Sequence, residues 1–176
     1  MTRAAGTGSD ERPTLAVVGA TGRFAKALVG AMALHDDPWG EIRLLSPRMT
    51  TRTLPVRGRE QRIELLGETS FEGVDVALFN LPSEQTKAWT RRAVESGAVV
   101  VDASSAHRLD EDVPLVVPGI NDAALADRPA GIVAVPGPVT WSLIDAAHAE
   151  ADRLRDQLNR QQNLKGFVVR FQPENG

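Results

Sequence analysis

A short apolar segment followed at once by a glycine-rich turn constrains the fold of this chain more than any other feature. Leu15–Val18 has the composition of a strand that is buried on both faces, as strands are in a parallel sheet. The turn Gly19-Ala-Thr-Gly22 follows directly, and residues 26–34 have the apolar spacing of a helix. A strand, a tight turn and a helix in this order predict the first unit of a parallel α/β sheet.

The rest of the chain continues to alternate between strands and helices. Apolar runs predict strands at residues 41–46, 74–81, 98–102, 115–117, 131–135 and 166–171, with one or two more within residues 54–66. Helical spacing predicts a helix over residues 83–96 with Ser83 as N-cap and Gly97 as C-cap, a helical turn at 121–126 and a long amphipathic helix over 140–163. This alternation predicts a Rossmann-type, doubly wound α/β fold with a mostly parallel sheet and crossover helices.

The glycine turn has the spacing Gly19-x-x-Gly22-x-x-Ala25, which meets the needs of a dinucleotide-binding loop. The first glycine permits a tight turn, the second lets the backbone approach a pyrophosphate, and the third small residue allows close packing of helix on strand. The start of the helix then offers unpaired N–H groups to the phosphates. We therefore predict a cofactor site made of Gly19, Ala20, Thr21, Gly22, Arg23 and Phe24; the alternative is a glycine turn without a ligand.

The end of the second predicted strand indicates which dinucleotide is bound. A site that prefers NAD usually has an Asp or Glu there to hold the ribose hydroxyls. Here the strand ends in Leu-Leu-Ser46-Pro-Arg48, which offers a hydroxyl and a guanidinium instead of an acid. Arg48 is suited to pair with a 2′-phosphate. We expect Ser46 and Arg48 to contact the cofactor, and NADP to be favoured over NAD, although Arg48 as a solvated loop residue is the alternative.

Composition excludes several kinds of chemistry and several partners. With no Cys and no Tyr, the sequence has no thiolate nucleophile and no phenol acid. The 20 basic residues are scattered among 23 acidic ones, which does not predict a nucleic-acid partner. No apolar run approaches the roughly 18 residues of a membrane span, and polar residues 1–12 predict a disordered tail rather than a signal peptide. We therefore expect a cytoplasmic protein.

The three histidines do not have the spacing of a metal site. His35, His107 and His148 are far apart in the sequence, so we expect no bound metal. His107 follows a predicted strand and is expected to be an exposed loop histidine; the alternative is that it faces the cleft beside Arg108.

Six stretches, in order, resemble the N-terminal half of aspartate-semialdehyde dehydrogenases. They are residues 16–22, 42–46, 71–79, 93–102, 104–108 and 112–118. The resemblance implies an NADP-binding domain over residues 13–138. Residues 139–176, with the long helix and the last strand, would be a stub of the family's second domain, which is used for catalysis and dimerisation.

The family reductively dephosphorylates aspartyl phosphate to the semialdehyde through a thioester on a cysteine. Pro138 is at the position of that cysteine, so the resemblance implies no catalytic residue in this chain. It further implies that Ser104 lies in the cofactor site and that Arg108 and Gln172 contact the substrate or its phosphate. For Arg108 a surface salt bridge is an equal alternative.

These observations predict an NADP-binding, non-catalytic regulatory or partner subunit. One alternative is a cofactor-binding subunit of an oxidoreductase that another chain completes, and a second is an interaction scaffold that no longer binds nucleotide. The apolar stripe of the long helix predicts a homo-oligomer, or a protein partner that covers residues 140–172.

Overall fold

The structure, a computed structural model, describes residues 12–35, 37–137, 147, 149–157 and 160. The chain divides into two compact units with a boundary after Pro136. In the second unit, residues 149–157 are helical and carry ion pairs between Arg153 and Glu150 (2.7 Å) and between Arg155 and Asp152 (2.6 Å). The masked part of the expected long helix (residues 140–146, 148, 158–159 and 161–163) lies outside the described residues. The expected strand at 166–171, Pro138 and Gln172 lie outside them as well.

The described residues of the first unit form eight strands, two α-helices and one 3₁₀ helix. In chain order these are β1 (Leu15–Val18), α1 (Arg23–Met32), β2 (Ile42–Ser46), β3 (Thr53–Val56), β4 (Arg59–Arg62), β5 (Glu64–Leu65), β6 (Val76–Phe79), α2 (Ser83–Glu95), β7 (Val99–Asp102), a 3₁₀ helix (Asp122–Ala126) and β8 (Ile132–Ala134).

Six of the strands form one parallel sheet in the order β5-β2-β1-β6-β7-β8. β3 and β4 form a separate antiparallel hairpin. The chain winds outward from β1 through β2 to β5 and then returns to begin the other half at β6, so the order reverses between β1 and β6. This is the strand order of a doubly wound sheet, and it confirms the predicted Rossmann-type fold.

The core consists of two apolar clusters that share the central strand. Ala16 and Val18 belong to one cluster, and Leu15 and Val17 belong to the other. Because successive residues of a strand point to opposite faces, the two clusters lie on the two faces of the sheet. All four residues are at most 2% exposed, as the apolar composition of this segment predicts.

Two details of the predicted elements are wrong. Residues 115–117 form no strand; they contribute a single bridge between Leu115 and Ala134, since Pro114 and Pro118 on either side cannot donate to a ladder. Ser83 is the first residue of α2 rather than its N-cap, which is Pro82, and its hydroxyl bonds instead to that of Ser105 at 2.8 Å.

The C-terminus of α2 is stabilised at the predicted glycine. Ser96 is the C-cap, and Gly97 follows it with φ +94°. Gly97 N–H donates to Val94 O (2.9 Å) and Ala98 N–H donates to Ala93 O (3.1 Å). This pair of bonds is a Schellman motif, which requires a left-handed residue at the glycine position.

The packing of Phe79 in the core can be tested by mutation. Phe79 is fully buried and stacks on Phe71, with ring centroids 5.8 Å apart. We predict that Phe79→Ala lowers the free energy of unfolding by about 3–5 kcal/mol, because it removes buried apolar surface and leaves a cavity. Urea unfolding checks this value. Leu109→Ala, at a side chain that is 96% exposed, is the control and should change stability by about 0.5 kcal/mol or less. A loss below about 1 kcal/mol for Phe79→Ala would contradict the assigned packing.

An ion pair attaches the β3–β4 hairpin to the segment that precedes β2. The two-residue turn places both Arg57 (φ +50°) and Gly58 (φ +74°) in the left-handed region. Arg57 donates from Nε to Asp37 Oδ2 (2.7 Å) and from Nη1 to Gly40 O (2.8 Å), while Trp39 N–H donates to Asp37 Oδ1 (2.9 Å). The hydrogen bond from Arg57, supported by that of Trp39, holds the pKa of Asp37 below its usual value, although burial opposes the change.

We predict a pH-dependent contribution of Asp37 to stability. A carboxyl whose pKa is lower in the folded state stabilises the fold above its unfolded pKa of about 4, and this stabilisation is lost as the pH falls through the folded pKa. Asp37→Asn should therefore lower stability at pH 7, and the difference from the wild type should shrink below about pH 4. Thermal unfolding from pH 2 to 7 measures it. Equal stability of the two proteins at pH 7 would refute the contribution.

Candidate functional site

The loop between β1 and α1, residues 19–22, is shaped by two glycines. Gly19 has φ +100°, and a Cβ there would lie 2.5 Å from the carbonyl oxygen of Asn80, closer than real atoms approach. Only glycine fits this position. Gly22 N–H donates to Gly19 O at 3.0 Å, which closes the turn directly before the helix. We call residues 19–22 the glycine loop.

The glycine loop is fixed to β2 and leaves the next amides without partners. Gly19 N–H and Ala20 N–H both donate to Leu45 O, at 2.9 and 3.0 Å. Within the part of the chain that the structure describes, the amides of Thr21, Arg23 and Phe24 have no hydrogen-bond acceptor. The first turn of α1 has neither a side-chain cap nor an acidic residue. Unpaired N–H groups at the positive end of the helix dipole fit an anion such as a pyrophosphate.

Three arginines follow the ends of β1 and β2, at the edge of the sheet where the glycine loop lies. Arg23 is the first residue of α1, and Arg48 and Arg52 belong to residues 47–52, which follow β2. Arg52 reaches the loop directly, because its Nη1 donates to Thr21 O at 2.9 Å. All three are exposed, and no described carboxylate lies within 4.0 Å of any of them. This part of the surface therefore has positive charge that described acidic groups do not pair.

Ser46 shapes the turn that presents Arg48. Ser46 is 1% exposed, and its hydroxyl donates to Arg48 O (2.9 Å) and accepts from Arg48 N–H (3.2 Å). The hydroxyl is thus engaged within the protein, while the Arg48 side chain stays exposed. At the end of β2, where a NAD site commonly carries an acid, the chain has this buried serine.

A second loop, residues 103–110, follows β7 and is organised by a buried acid. Asp102 is fully buried and accepts hydrogen bonds from Ser104 N–H (2.7 Å) and His107 N–H (3.3 Å). Ser104 Oγ in turn accepts from Ala106 N–H at 3.0 Å. Because the strands are parallel, this loop and the glycine loop lie at the same edge of the sheet, where ligands bind in open α/β sheets.

His107 is not the exposed loop residue that the sequence predicts. It is 8% exposed, with Nε2 at 3.0 Å from Thr90 Oγ1 and Nδ1 at 2.7 Å from Asp110 Oδ2. Thr90 and Thr86 lie on the buried face of α2, where a hydroxyl needs a partner. Two threonines at helical spacing on an otherwise apolar face are the signal that could have indicated a buried polar neighbour.

Arg108 joins the ends of β7 and β8. Its Nε donates to Val135 O (3.0 Å) and its Nη2 donates to Ala103 O (3.2 Å). Among the described residues no carboxylate lies within 4.0 Å of it, so the alternative of a salt bridge has no partner there. The guanidinium fixes two backbone carbonyls at the site edge of the sheet.

The structure thus brings most of the predicted site residues to one edge of the sheet. The glycine loop with Arg23 and Phe24 follows β1, Ser46 and Arg48 follow β2, and Ser104 and Arg108 follow β7. Sequence reasoning missed Arg52, four residues beyond Arg48 in the same loop. It also missed the backbone of Asn80 beneath Gly19, which no sequence pattern marks.

The described part of the chain has no cluster of metal-ligating side chains and no membrane-spanning helix. No group of three His, Cys, Asp or Glu residues is arranged to hold a metal ion there. No helix in that part is long and apolar enough to cross a membrane.

Comparison with known proteins was made for both the sequence and the fold. The pattern of the semialdehyde dehydrogenase NAD-binding domain family matches residues 14–128. Aspartate-semialdehyde dehydrogenase of Aquifex aeolicus is 36% identical over 75% of this chain and 40% of its own length, and that of Synechocystis is 38% identical over 72% and 37%. The crystal structure of aspartate semialdehyde dehydrogenase II from Vibrio cholerae matches with a TM-score of 0.71 and 32% identity, over 76% of this chain and 44% of that one.

These matches confirm the resemblance seen in the sequence. The family match lies within the first unit, and the chain spans about two fifths of the length of these relatives. The match over residues 14–128 includes β1, the glycine loop and the ends of β2 and β7. The chain therefore belongs to the semialdehyde dehydrogenase family and carries its dinucleotide-binding domain.

Proposed function

We propose that this chain binds NADP, with the pyrophosphate on the glycine loop and the 2′-phosphate at Arg48. The observation that carries the proposal is the set of unpaired amides of Thr21, Arg23 and Phe24 beside three exposed arginines. A helix start without a cap or an acid is stabilised when an anion accepts these donors. The fit of the site to a dinucleotide therefore rests on this chain's own backbone.

The preference for NADP over NAD follows from charge. The 2′-phosphate adds negative charge that NAD lacks, and a guanidinium binds a phosphate through two parallel hydrogen bonds. Arg48 is exposed and available for this contact, whereas the Ser46 hydroxyl is used to fix the turn. A carboxylate at this point would repel the phosphate, and β2 ends without one.

We further propose that the chain acts as a non-catalytic partner or regulatory subunit. The 176 residues contain no Cys, so the chain offers no thiolate to form a thioester. In this proposal its residues bind and orient: we expect the glycine loop to hold phosphates, Ser104 to line the cofactor site and Arg108 to contact the substrate or its phosphate. A homo-oligomer or a protein partner over residues 140–172 remains part of this proposal.

The proposed preference for NADP can be tested by measuring the affinity for each dinucleotide. Calorimetric titration should show micromolar binding of NADP⁺, about −8 kcal/mol, and weaker binding of NAD⁺. Arg48→Met should weaken NADP⁺ binding about tenfold and leave NAD⁺ binding within about twofold, because only NADP⁺ has the phosphate that Arg48 contacts.

Arg59→Met is the matched control for this titration. It removes the same charge from an exposed position at the tip of the β3–β4 hairpin, so the affinities of both dinucleotides should stay at the wild-type values. No heat with either dinucleotide would refute the proposed function. An equal loss of both upon Arg48→Met would refute the assigned role of Arg48.

A substitution at Arg23 should change cofactor affinity and protein stability in different directions. A glutamate at the first position of α1 interacts favourably with the helix dipole, by about 0.3–1 kcal/mol, but repels a bound pyrophosphate. Arg23→Glu should therefore keep or raise the thermal midpoint and weaken NADP⁺ binding at least about tenfold. Differential scanning calorimetry and the same titration measure the two effects.

The control is Arg59→Glu, which makes the same change of charge next to the turn of the β3–β4 hairpin. It should leave the affinity for NADP⁺ close to that of the wild type. If Arg23→Glu binds NADP⁺ as tightly as the wild type, the pyrophosphate does not bind at the start of α1.

A further inference from the structure

The peptide unit between Thr21 and Gly22 is held at both of its polar ends. Thr21 O accepts a hydrogen bond from Arg52 Nη1 at 2.9 Å, and Gly22 N–H donates to Gly19 O at 3.0 Å. In a trans peptide the C=O and the N–H point in opposite directions. The two bonds together therefore fix the orientation of this peptide in the middle of the anion-binding turn.

The backbone of Arg52 is itself anchored, so the contact is pre-organised. Arg52 N–H donates to Thr50 Oγ1 at 3.1 Å, and Arg52 O accepts from Ile63 N–H at 3.2 Å. Ile63 is 5% exposed and belongs to the core cluster that also contains Leu15 and Val17 of β1. The backbone from which the Arg52 side chain extends is thus hydrogen-bonded to a core residue and is not part of a freely moving loop.

Orientation of this peptide matters because carbonyl and amide groups have opposite effects on a phosphate. A carbonyl oxygen carries partial negative charge and repels an anion, whereas successive N–H groups attract one. If the peptide were free to flip, the Thr21 carbonyl and the Gly22 N–H would exchange directions. Gly22, which has no side chain, offers little steric resistance to such a flip.

We propose that Arg52 is a positioning residue of the dinucleotide site. By holding the Thr21 carbonyl it keeps the glycine loop in the conformation in which the amides of Thr21, Arg23 and Phe24 are left for a pyrophosphate. This inference rests on the proposed function. It differs from the role of Arg48, because the pyrophosphate is common to NADP and NAD whereas the 2′-phosphate is not.

The test compares the same two ligands on four proteins. The wild type, Arg52→Met, Arg52→Lys and Arg48→Met are titrated with NADP⁺ and with NAD⁺. Arg52→Met should weaken both by a similar factor of about ten, so that the ratio of the two affinities is unchanged. Arg52→Lys keeps a positively charged N–H donor group on a long side chain, and it should recover part of the loss for both ligands. Arg48→Met should change the ratio. Arg59→Met serves as the control for loss of an exposed arginine.

A measurement without ligand follows the peptide directly. Amide hydrogen exchange at Gly22 should be faster in Arg52→Met than in the wild type, while exchange at Val17 in β1 stays the same. A general loss of stability would instead speed exchange at both positions.

Each outcome is decisive. If the wild type binds neither dinucleotide, the proposed function fails and the inference fails with it. If the wild type binds but Arg52→Met binds both ligands equally well, only the inference is overturned. If Arg52→Met weakens NADP⁺ alone, Arg52 contacts the 2′-phosphate and does not position the loop, which also overturns the inference. A parallel loss for both ligands, with faster exchange confined to Gly22, supports it.

Discussion

The pairing of β1 with strands on both of its sides is the constraint from which the site follows. In the parallel register Val18, the last residue of β1, lies opposite Leu45 of β2 and Phe79 of β6. The chain leaving β1 therefore passes between the ends of two neighbours. One neighbour supplies the Leu45 carbonyl, which accepts the first two amides of the glycine loop, and the other supplies the Asn80 backbone, which leaves room only for glycine at position 19. The conformation of the loop is thus set by sheet register rather than by the loop alone.

The helices α1 and α2 differ in the charged residues of their first and last turns. The first turn of α2 contains Glu84 and its last turn contains Arg92, an arrangement that complements the helix dipole. The first turn of α1 has no acid and begins with Arg23, which opposes the dipole. A helix of ten residues gains little stability of its own, so this arrangement lowers its stability unless an anion binds. Local stability alone would favour the pattern of α2, so the start of α1 departs from it at the point where its amides have no described partners.

The parts of this fold that sequence reasoning predicted are those determined by local chemistry. Three such features can be recognised from a few adjacent residues. They are the buried strand β1, the turn formed by Gly19 and Gly22, and the left-handed conformation at Gly97. What it missed depends on contacts between distant segments. The burial of His107 requires that Thr90 of α2 face it, and the contact of Arg52 with Thr21 requires the loop after β2 to reach back to the loop after β1. The spacing of Thr86 and Thr90 indicates a buried polar neighbour of α2 but does not identify it as His107, and no spacing pairs Arg52 with Thr21.

The two loops at the site edge of the sheet differ in what they can offer a ligand. In the loop after β7 the polar groups largely bond to one another: Asp102 accepts two backbone amides, Arg108 donates to two backbone carbonyls, and Ser105 pairs with Ser83. Groups that already have hydrogen-bond partners gain little free energy by bonding to a ligand, so this loop mainly forms a rigid boundary at the site edge of the sheet. At the start of α1 the amides of Thr21, Arg23 and Phe24 have no described partners, and the guanidinium of Arg52 donates to the Thr21 carbonyl. Among the described residues, the backbone donors that are free to bind an anion are therefore concentrated at the start of α1.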